Sequence, residues 1–108
     1  MLILFDNGTP APLRHFLKGH TVVEAIDRGW DRLSNGKLIA VAEEAGFDIL
    51  LTTDKNMSSQ QNLTERKLAF VVLGNQQWPV LQRHVHKVCA AVDAATPGSY
   101  IEVEIPFE

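Results

Sequence analysis

The sequence contains one cysteine, Cys89, among its 108 residues, so a disulfide framework is excluded. Its longest uninterrupted apolar run, residues 68–73, is six residues long, whereas a membrane-spanning helix needs about 20. The opening residues, MLILFDNG, contain neither a basic segment nor a small-residue cleavage site. We therefore expect a chain without a membrane span or a signal peptide, working in the reducing cytoplasm.

Several catalytic motifs are also missing. The sequence contains no phosphate-binding glycine loop, no dinucleotide glycine motif and no nucleophile elbow. The formal net charge of −3 argues against a bulk electrostatic nucleic-acid binder. Basic residues still cluster in two segments, and the simplest interpretation is that both are solvated outer faces of helices. The clusters are Arg14, His15 and Lys18 in the first segment, and Arg83, His84, His86 and Lys87 in the second.

Short apolar runs alternate with segments of helical period throughout residues 1–108, which we interpret as one domain. The runs at 2–5, 21–23, 48–53 and 69–74 are predicted to be strands. Three of them are continuously apolar, as expected when helices cover both faces of a parallel sheet. The tail at 99–105 alternates strictly between apolar and polar residues, which is typical of an edge strand with one wet face.

The segments between the runs are predicted to be helices. One begins at Thr9-Pro10, with Thr9 as its N-cap, and ends at Gly19. Residues 25–34 form a short helix or a turn, a second helix runs from Asn35 to Gly46, a short one covers 60–66, and a long one follows Pro79. Three apolar stripes are expected to face inward: Leu13, Phe16 and Leu17; Leu38, Val41, Ala42 and Ala45; Leu81, Val85, Val88, Val92 and Ala95.

This alternation predicts an α/β fold of three layers with right-handed crossovers. Its central sheet would be mostly parallel, with four to five strands and the C-terminal strand at one edge. In such a sheet, functional groups gather beyond the carboxyl ends of the strands, near the point where the strand order reverses.

Polar residues follow three of the predicted strands. Asp6 and Asn7 follow the first strand, Asp54 and Asn56 the third, and Asn75 the fourth. Two carboxylates held close together repel each other unless a cation lies between them, and Mg²⁺ prefers oxygen ligands of this kind. We therefore predict a Mg²⁺ or Mn²⁺ site at Asp6 and Asp54, of the type used for metal-assisted phosphodiester hydrolysis. The alternative is that each residue only makes a turn or caps a helix.

Two stretches, LILFDNGTPAPLRHFL and EEAGFDILLTTDKN, together with the closing PGSYIEVEIP, resemble the compact PIN-like proteins. These are small nucleases that often form the toxin of a toxin–antitoxin pair. The resemblance implies a three-layer PIN-like fold and a metal-dependent ribonuclease site built from three or four acids. Asp6 matches the first of these acids and Asp54 the later one.

The sequence departs from the family where a middle acid is expected. Asn35 and Gly36 stand at the start of the helix that leads into the third strand, where the resemblance implies an Asp-Glu pair. Asn35 would then be a neutral metal ligand, with one charge fewer than the family site, and Glu43 is an alternative source of the missing acid.

The leading hypothesis is therefore a PIN-like ribonuclease with Asp6 and Asp54 as its catalytic residues. Side chains from five other positions would orient water, phosphate or the RNA backbone. The expected partners are RNA, an antitoxin protein and a second copy of the chain in a homodimer, with no membrane. The orienting and backbone-binding residues would be Asn7, Asn56 and Asn75, and Arg14 and Lys18.

Two other hypotheses remain open. The first is a catalytically degraded PIN-like module that binds protein or nucleic-acid partners, which the missing acid at Asn35 favours. The second is a phosphoacceptor receiver domain, because an Asp after the third strand is its hallmark. Receivers also need a hydroxyl residue after the fourth strand and a lysine after the fifth, and neither residue stands there.

Overall fold

A computed structural model describes residues 1–57 and 67–106 of the chain. The described residues form five strands and three α-helices, together with three 3₁₀ helices. The strands are β1 (Leu2–Phe5), β2 (Thr21–Glu24), β3 (Ile49–Thr52), β4 (Ala69–Leu73) and β5 (Tyr100–Val103). The α-helices are α1 (Asn35–Glu44), α2 (Trp78–Leu81) and α3 (Val85–Ala94), and 3₁₀ helices cover Ala11–Phe16, Ala25–Arg28 and Gln82–His84.

The strands form a single sheet in the order β2-β1-β3-β4-β5, and every neighbouring pair is parallel. The predicted strand positions and the placement of the C-terminal strand at an edge are confirmed. The order reverses between β1 and β3, since β2 lies on the far side of β1. In doubly wound sheets of this order, that reversal point is where ligands bind.

Two apolar cores cover the two faces of the sheet, so the molecule has the predicted three layers. Because successive strand residues point to opposite faces, Ile3 and Phe5 belong to one core and Leu4 to the other. We call the helices over the first face the α3 layer; it consists of the 3₁₀ helix Ala11–Phe16 with α2 and α3. We call the opposite side the α1 layer; it consists of residues 25–47.

The helices differ from the prediction in detail. The long helix after Pro79 is divided by the 3₁₀ turn Gln82–His84 into α2 and α3. In α1, Leu38, Ile39 and Ala42 are buried, whereas Ala45 is exposed, because the inward stripe is rotated by one residue from the prediction. The helix predicted at 60–66 lies outside the described residues.

One crossover has an unexpected hand. The β1–β2 and β2–β3 connections run in opposite directions and on opposite faces of the sheet, so they share one hand. The β4–β5 connection runs in the same direction as β2–β3 but carries its helices on the α3-layer face, so its hand is opposite. The crossovers therefore do not all have the same hand, so the expectation that they are uniformly right-handed is wrong. Among the described residues, α2 and α3 share their face of the sheet with the six-residue 3₁₀ helix Ala11–Phe16.

Within the described residues, no helix combines the length and the apolar character that a bilayer span requires.

Candidate active site at the carboxyl ends of β1 and β3

Asp6 is the first residue after β1, and its backbone continues the sheet ladder by donating to the Leu51 carbonyl at 3.0 Å. Its side chain accepts two hydrogen bonds of different origin. Oδ1 accepts the backbone N–H of Asn7 at 2.8 Å, and Oδ2 accepts the hydroxyl of Thr52 at 2.8 Å. Asp6 is therefore held both by its own turn and by the neighbouring strand β3.

Asp54 lies two residues beyond the end of β3 and is held in the same divided way. Its Oδ1 accepts the backbone N–H of Asn56 at 2.9 Å. Its Oδ2 accepts Nδ2 of Asn35, the first residue of α1, at 3.0 Å. Each aspartate thus uses one oxygen to cap a turn, as the alternative interpretation predicts, and the other to bind a side chain from a distant element.

Thr52, the last residue of β3, connects the two aspartates. Its buried hydroxyl donates to Asp6 and accepts the backbone N–H of Asp54 at 3.0 Å. A single oxygen atom therefore bridges a carboxylate and the backbone of the second aspartate. This contact brings residues 48 positions apart in sequence to one crevice.

The electrostatics of the crevice oppose a negative charge on Asp6. Burial raises the pKa of this carboxyl, and the negative charge of Asp54 raises it further, while the hydrogen bonds from Thr52 and from the Asn7 amide lower it. The net effect is a pKa above the ordinary value. Two carboxylates that repel each other in a partly buried crevice are a setting in which a cation binds favourably.

The turn after β1 closes one side of the crevice. Gly8 has a left-handed backbone (φ of 87°), and a Cβ atom there would lie 3.2 Å from Thr53 Oγ1 and 3.4 Å from Gln76 Oε1. The adjacent Thr9 is buried and donates its hydroxyl to the Leu51 carbonyl at 3.1 Å instead of acting as the predicted helix N-cap. The turns after β1, β3 and β4 therefore meet closely at this point.

Asp6 and Asp54 contribute carboxylate oxygens to the crevice, and carboxylate oxygens are ligands that hard divalent cations such as Mg²⁺ and Mn²⁺ prefer. Within the described residues, no three or more His, Cys, Asp or Glu side chains form a group that would hold a metal. Asp6 and Asp54 would therefore supply the charge, as in Mg²⁺ sites that use one or two carboxylates together with waters and phosphate.

Three asparagines predicted for the site have distinct positions. Asn7 donates its side-chain amide to the Asp31 carbonyl and so ties the β1 turn to the segment before α1. Asn56 caps the Asp54 turn through its backbone. Asn75 is buried; its Oδ1 accepts the Gln77 N–H at 2.9 Å, and its Nδ2 donates to the Pro106 carbonyl at 3.4 Å. Asn75 thus anchors the start of α2 and the C-terminal tail.

The two predicted RNA-backbone cations lie apart from each other. Arg14 pairs with Glu24 at 3.1 Å and donates to the Val22 carbonyl at 3.2 Å, so it covers the outer edge of β2. Lys18 lies near His20, which contacts the N-terminal nitrogen at the amino edge of the sheet. That edge is opposite the one that carries Asp6 and Asp54.

Glu43 does not replace the missing acid in this structure. It lies at the C-terminal end of α1 and accepts the Lys67 N–H at 3.1 Å, at the amino edge of the sheet. Asn35, at the other end of the same helix, is the residue that contacts Asp54.

Sequence reasoning missed Thr52, which interacts with both aspartates. Threonine is common in strands, and it ends an otherwise apolar run, so its pattern is that of a core strand residue. The available signal was its position in the strand. A residue next to the strand end points to the same face of the sheet as an aspartate two positions further along the chain. Thr9 was noticed only as a helix cap.

Comparisons with protein-family models, with curated proteins and with solved structures gave no match to this chain.

Proposed function

We propose that this protein is a metal-dependent ribonuclease of the PIN-like class, with its active site at Asp6 and Asp54. The observation that carries the proposal is the Thr52 bridge, which joins the two aspartates at the reversal point of a parallel sheet. The resemblance of the sequence to PIN-like proteins supports the choice of RNA as the substrate.

The residues have separate roles in this proposal. Asp6 and Asp54 hold the cation, and Thr52 and Asn35 fix the orientations of the two carboxylates. A bound Mg²⁺ or Mn²⁺ would supply an activated water and would stabilise the phosphoryl charge.

The central experiment measures cleavage of a labelled single-stranded RNA in Mg²⁺, in Mn²⁺ and in EDTA. Wild type is expected to cleave only with metal, and Asp54→Asn is expected to abolish cleavage. Asp48→Asn is the matched control, since Asp48 lies at the amino end of the same strand, where its carboxylate accepts the Leu2 N–H at 2.8 Å. The control should cleave like wild type.

A second readout separates binding from chemistry. Mn²⁺ is expected to raise the melting temperature of wild type but not that of Asp54→Asn. Wild-type protein that neither cleaves RNA nor is stabilised by Mg²⁺ or Mn²⁺ would contradict the proposed activity.

The biological setting belongs to the same proposal. We infer that the protein acts in the cytoplasm as the toxin of a toxin–antitoxin pair, and that it forms a homodimer. Co-expression with the product of a neighbouring gene for a small DNA-binding protein should relieve growth arrest if this setting is correct. Sedimentation of the purified chain tests the dimer.

A degraded binding module is the second candidate, and the Asn35 contact favours it. An acid at this position would add a third charge, whereas the Asn35 amide donates a hydrogen bond to Asp54 and leaves the crevice with two carboxylates. This candidate predicts RNA or protein binding without cleavage in any metal. The receiver hypothesis gains support from the strand order, but Gly74 and Asn75 follow β4 and Glu104 follows β5, so the required hydroxyl and lysine are missing there.

A further inference from the structure

The two layers that cover the sheet differ sharply in charge. Residues 10–20 and 76–94, which make up the α3 layer and its flanks, contain four Lys or Arg residues, all four histidines and a single acid, Asp93. Residues 25–48, which make up the α1 layer and its flank, contain five acids and three Lys or Arg residues. The chain therefore has a negative net charge, but the side of the molecule that carries the α3 layer is positively charged.

The fold joins the two basic segments, which lie far apart in sequence. Leu13 and Leu17 of the first segment share a buried core with Val88 and Val92 of α3. The Cys89 thiol also donates to the Phe16 carbonyl at 3.3 Å. The basic residues of the 3₁₀ helix and of α2–α3 consequently lie on the same side of the sheet.

Two partly exposed aromatic rings lie within this surface. Phe16 and Trp78 are 5.8 Å apart between ring centroids and are tilted by 47°. Phe16 was predicted to face the core, but it is 43% exposed. An exposed phenylalanine between basic side chains provides a flat apolar surface on which a nucleic-acid base can stack.

The basic side chains of this surface differ in their contacts and in their exposure. Arg14 is paired with Glu24 at the rim, and His20 lies 3.6 Å from Asp93 at the far end of α3. Lys18, Arg83 and Lys87 are exposed. The Lys87 ammonium donates to a neutral acceptor, the Glu104 backbone carbonyl, at 3.4 Å, so this contact leaves its charge intact.

We propose that the α3 layer is a binding surface for single-stranded RNA. Lys18, Arg83 and Lys87 would contact phosphates, and Phe16 would stack with a base. The surface extends from the carboxyl edge of the sheet, where α2 begins beside the aspartate crevice, to the amino edge near Lys18. The choice of RNA as the polynucleotide rests on the proposed function, whereas the charge and the aromatic pair are independent of it.

The expected salt dependence follows from the number of cations. Three phosphate contacts on a single strand give a slope of about −2 for the logarithm of affinity against the logarithm of salt concentration. Affinity should therefore fall about 20-fold between 50 and 200 mM salt. Removing all three contacts should weaken binding by about 100-fold at 100 mM salt.

The test is fluorescence anisotropy with a labelled 20-nucleotide single-stranded RNA in EDTA, so that the RNA stays intact. The variant neutralises the three α3-layer cations, and its matched control neutralises three exposed cations elsewhere with the same change in net charge. The variant is Lys18→Gln, Arg83→Gln and Lys87→Gln; the control is Arg32→Gln, Lys37→Gln and Lys67→Gln. Circular dichroism melts should show that both remain folded.

The variant is expected to lose binding and the control to keep it. Phe16→Ala should weaken binding about tenfold. In a Trp30→Phe background, the remaining Trp78 should be quenched when RNA binds, because its ring contacts Phe16. Equal losses in variant and control would overturn the proposal, as would equal or tighter binding of a DNA oligonucleotide of the same sequence. The proposal would also be overturned if neither the variant nor the control lost RNA binding and this surface instead captured an acidic partner protein.

The RNA-binding experiment and the cleavage experiment can give different results, so they test the two proposals separately. Binding in EDTA without cleavage in any metal would leave this inference standing and remove the ribonuclease. Metal-dependent cleavage that is unaffected by the triple variant would do the reverse.

Discussion

The hydroxyl of Thr52 is the best single target for testing how the crevice is built. Replacing Thr52 with valine keeps the shape of the side chain but removes both of its hydrogen bonds. The bond to the ionised Asp6 contributes about 1.5–3 kcal/mol, and leaving the Asp54 N–H without its acceptor costs about 1 kcal/mol more. The expected loss of stability is about 3 kcal/mol, or about 12 °C in melting temperature for a chain of this length.

The matched control is Thr52→Ser, which keeps the hydroxyl and removes one buried methyl group. Its expected cost is about 1 kcal/mol. Urea denaturation of both variants at pH 7 measures the difference. If valine is tolerated as well as serine at this fully buried position, the hydroxyl does not join the two aspartates as we describe.

The pH dependence of the same pair provides a second check. The Thr52 hydroxyl lowers the pKa of Asp6, so its contribution requires an ionised Asp6 and is lost as pH falls through the pKa of Asp6 in the folded state. The stability difference between the two variants should therefore shrink in acid. A difference that stays constant from pH 7 to pH 3 would contradict this reasoning.

Three further predictions concern the same crevice. Asp6→Asn removes a carboxyl group whose raised pKa lowers the stability of the fold once the group ionises. In urea denaturation without metal, the variant should therefore be more stable than wild type at pH 7, and it should lose that advantage below pH 3.8, the unperturbed pKa. Asn35→Asp places a second carboxylate against Asp54, so it should melt lower without metal and show a larger Mn²⁺-induced rise in melting temperature; an unchanged response to Mn²⁺ would argue against a metal site. Gly8→Ala and Gly19→Ala each place alanine in a left-handed backbone, which costs about 1 kcal/mol. Only Gly8→Ala also crowds neighbouring side chains, so its urea midpoint should fall further, and it alone should lose the Mn²⁺ response.

The sheet was predictable because its three inner strands, β1, β3 and β4, are buried on both faces. Burial on both sides requires runs such as ILL and FVVL, which differ from the alternating tail, and this contrast also located the edge strand. The proximity of Asp6 and Asp54 followed from topology alone, since parallel neighbouring strands end at the same edge. No periodicity within either segment could have predicted it.

Other features depend on tertiary contacts that a linear pattern does not contain. The buried stripe of α1 contains Ile39 where Val41 was predicted, so it is rotated by one residue. Both residues are apolar, so the sequence pattern does not distinguish them, and tertiary packing determines that Ile39 is buried. The spacing of Phe16 predicts a core residue, whereas in the structure Phe16 contacts Trp78 and is partly exposed. The hand of the β4–β5 connection depends on which face of the sheet lacks cover, and that is a property of the whole molecule.

The sheet contains no hairpin, and this has a kinetic consequence. Every strand pairing must close a long loop, and the β1–β3 pairing joins Ile3 to Ile49, 46 positions apart, against 19 for Leu2 and Thr21. The longer closure costs about 0.8 kcal/mol more in chain entropy than the shorter one. The aspartate crevice arises from that same pairing, so a nascent chain has no such crevice until β3 has left the ribosome and docked.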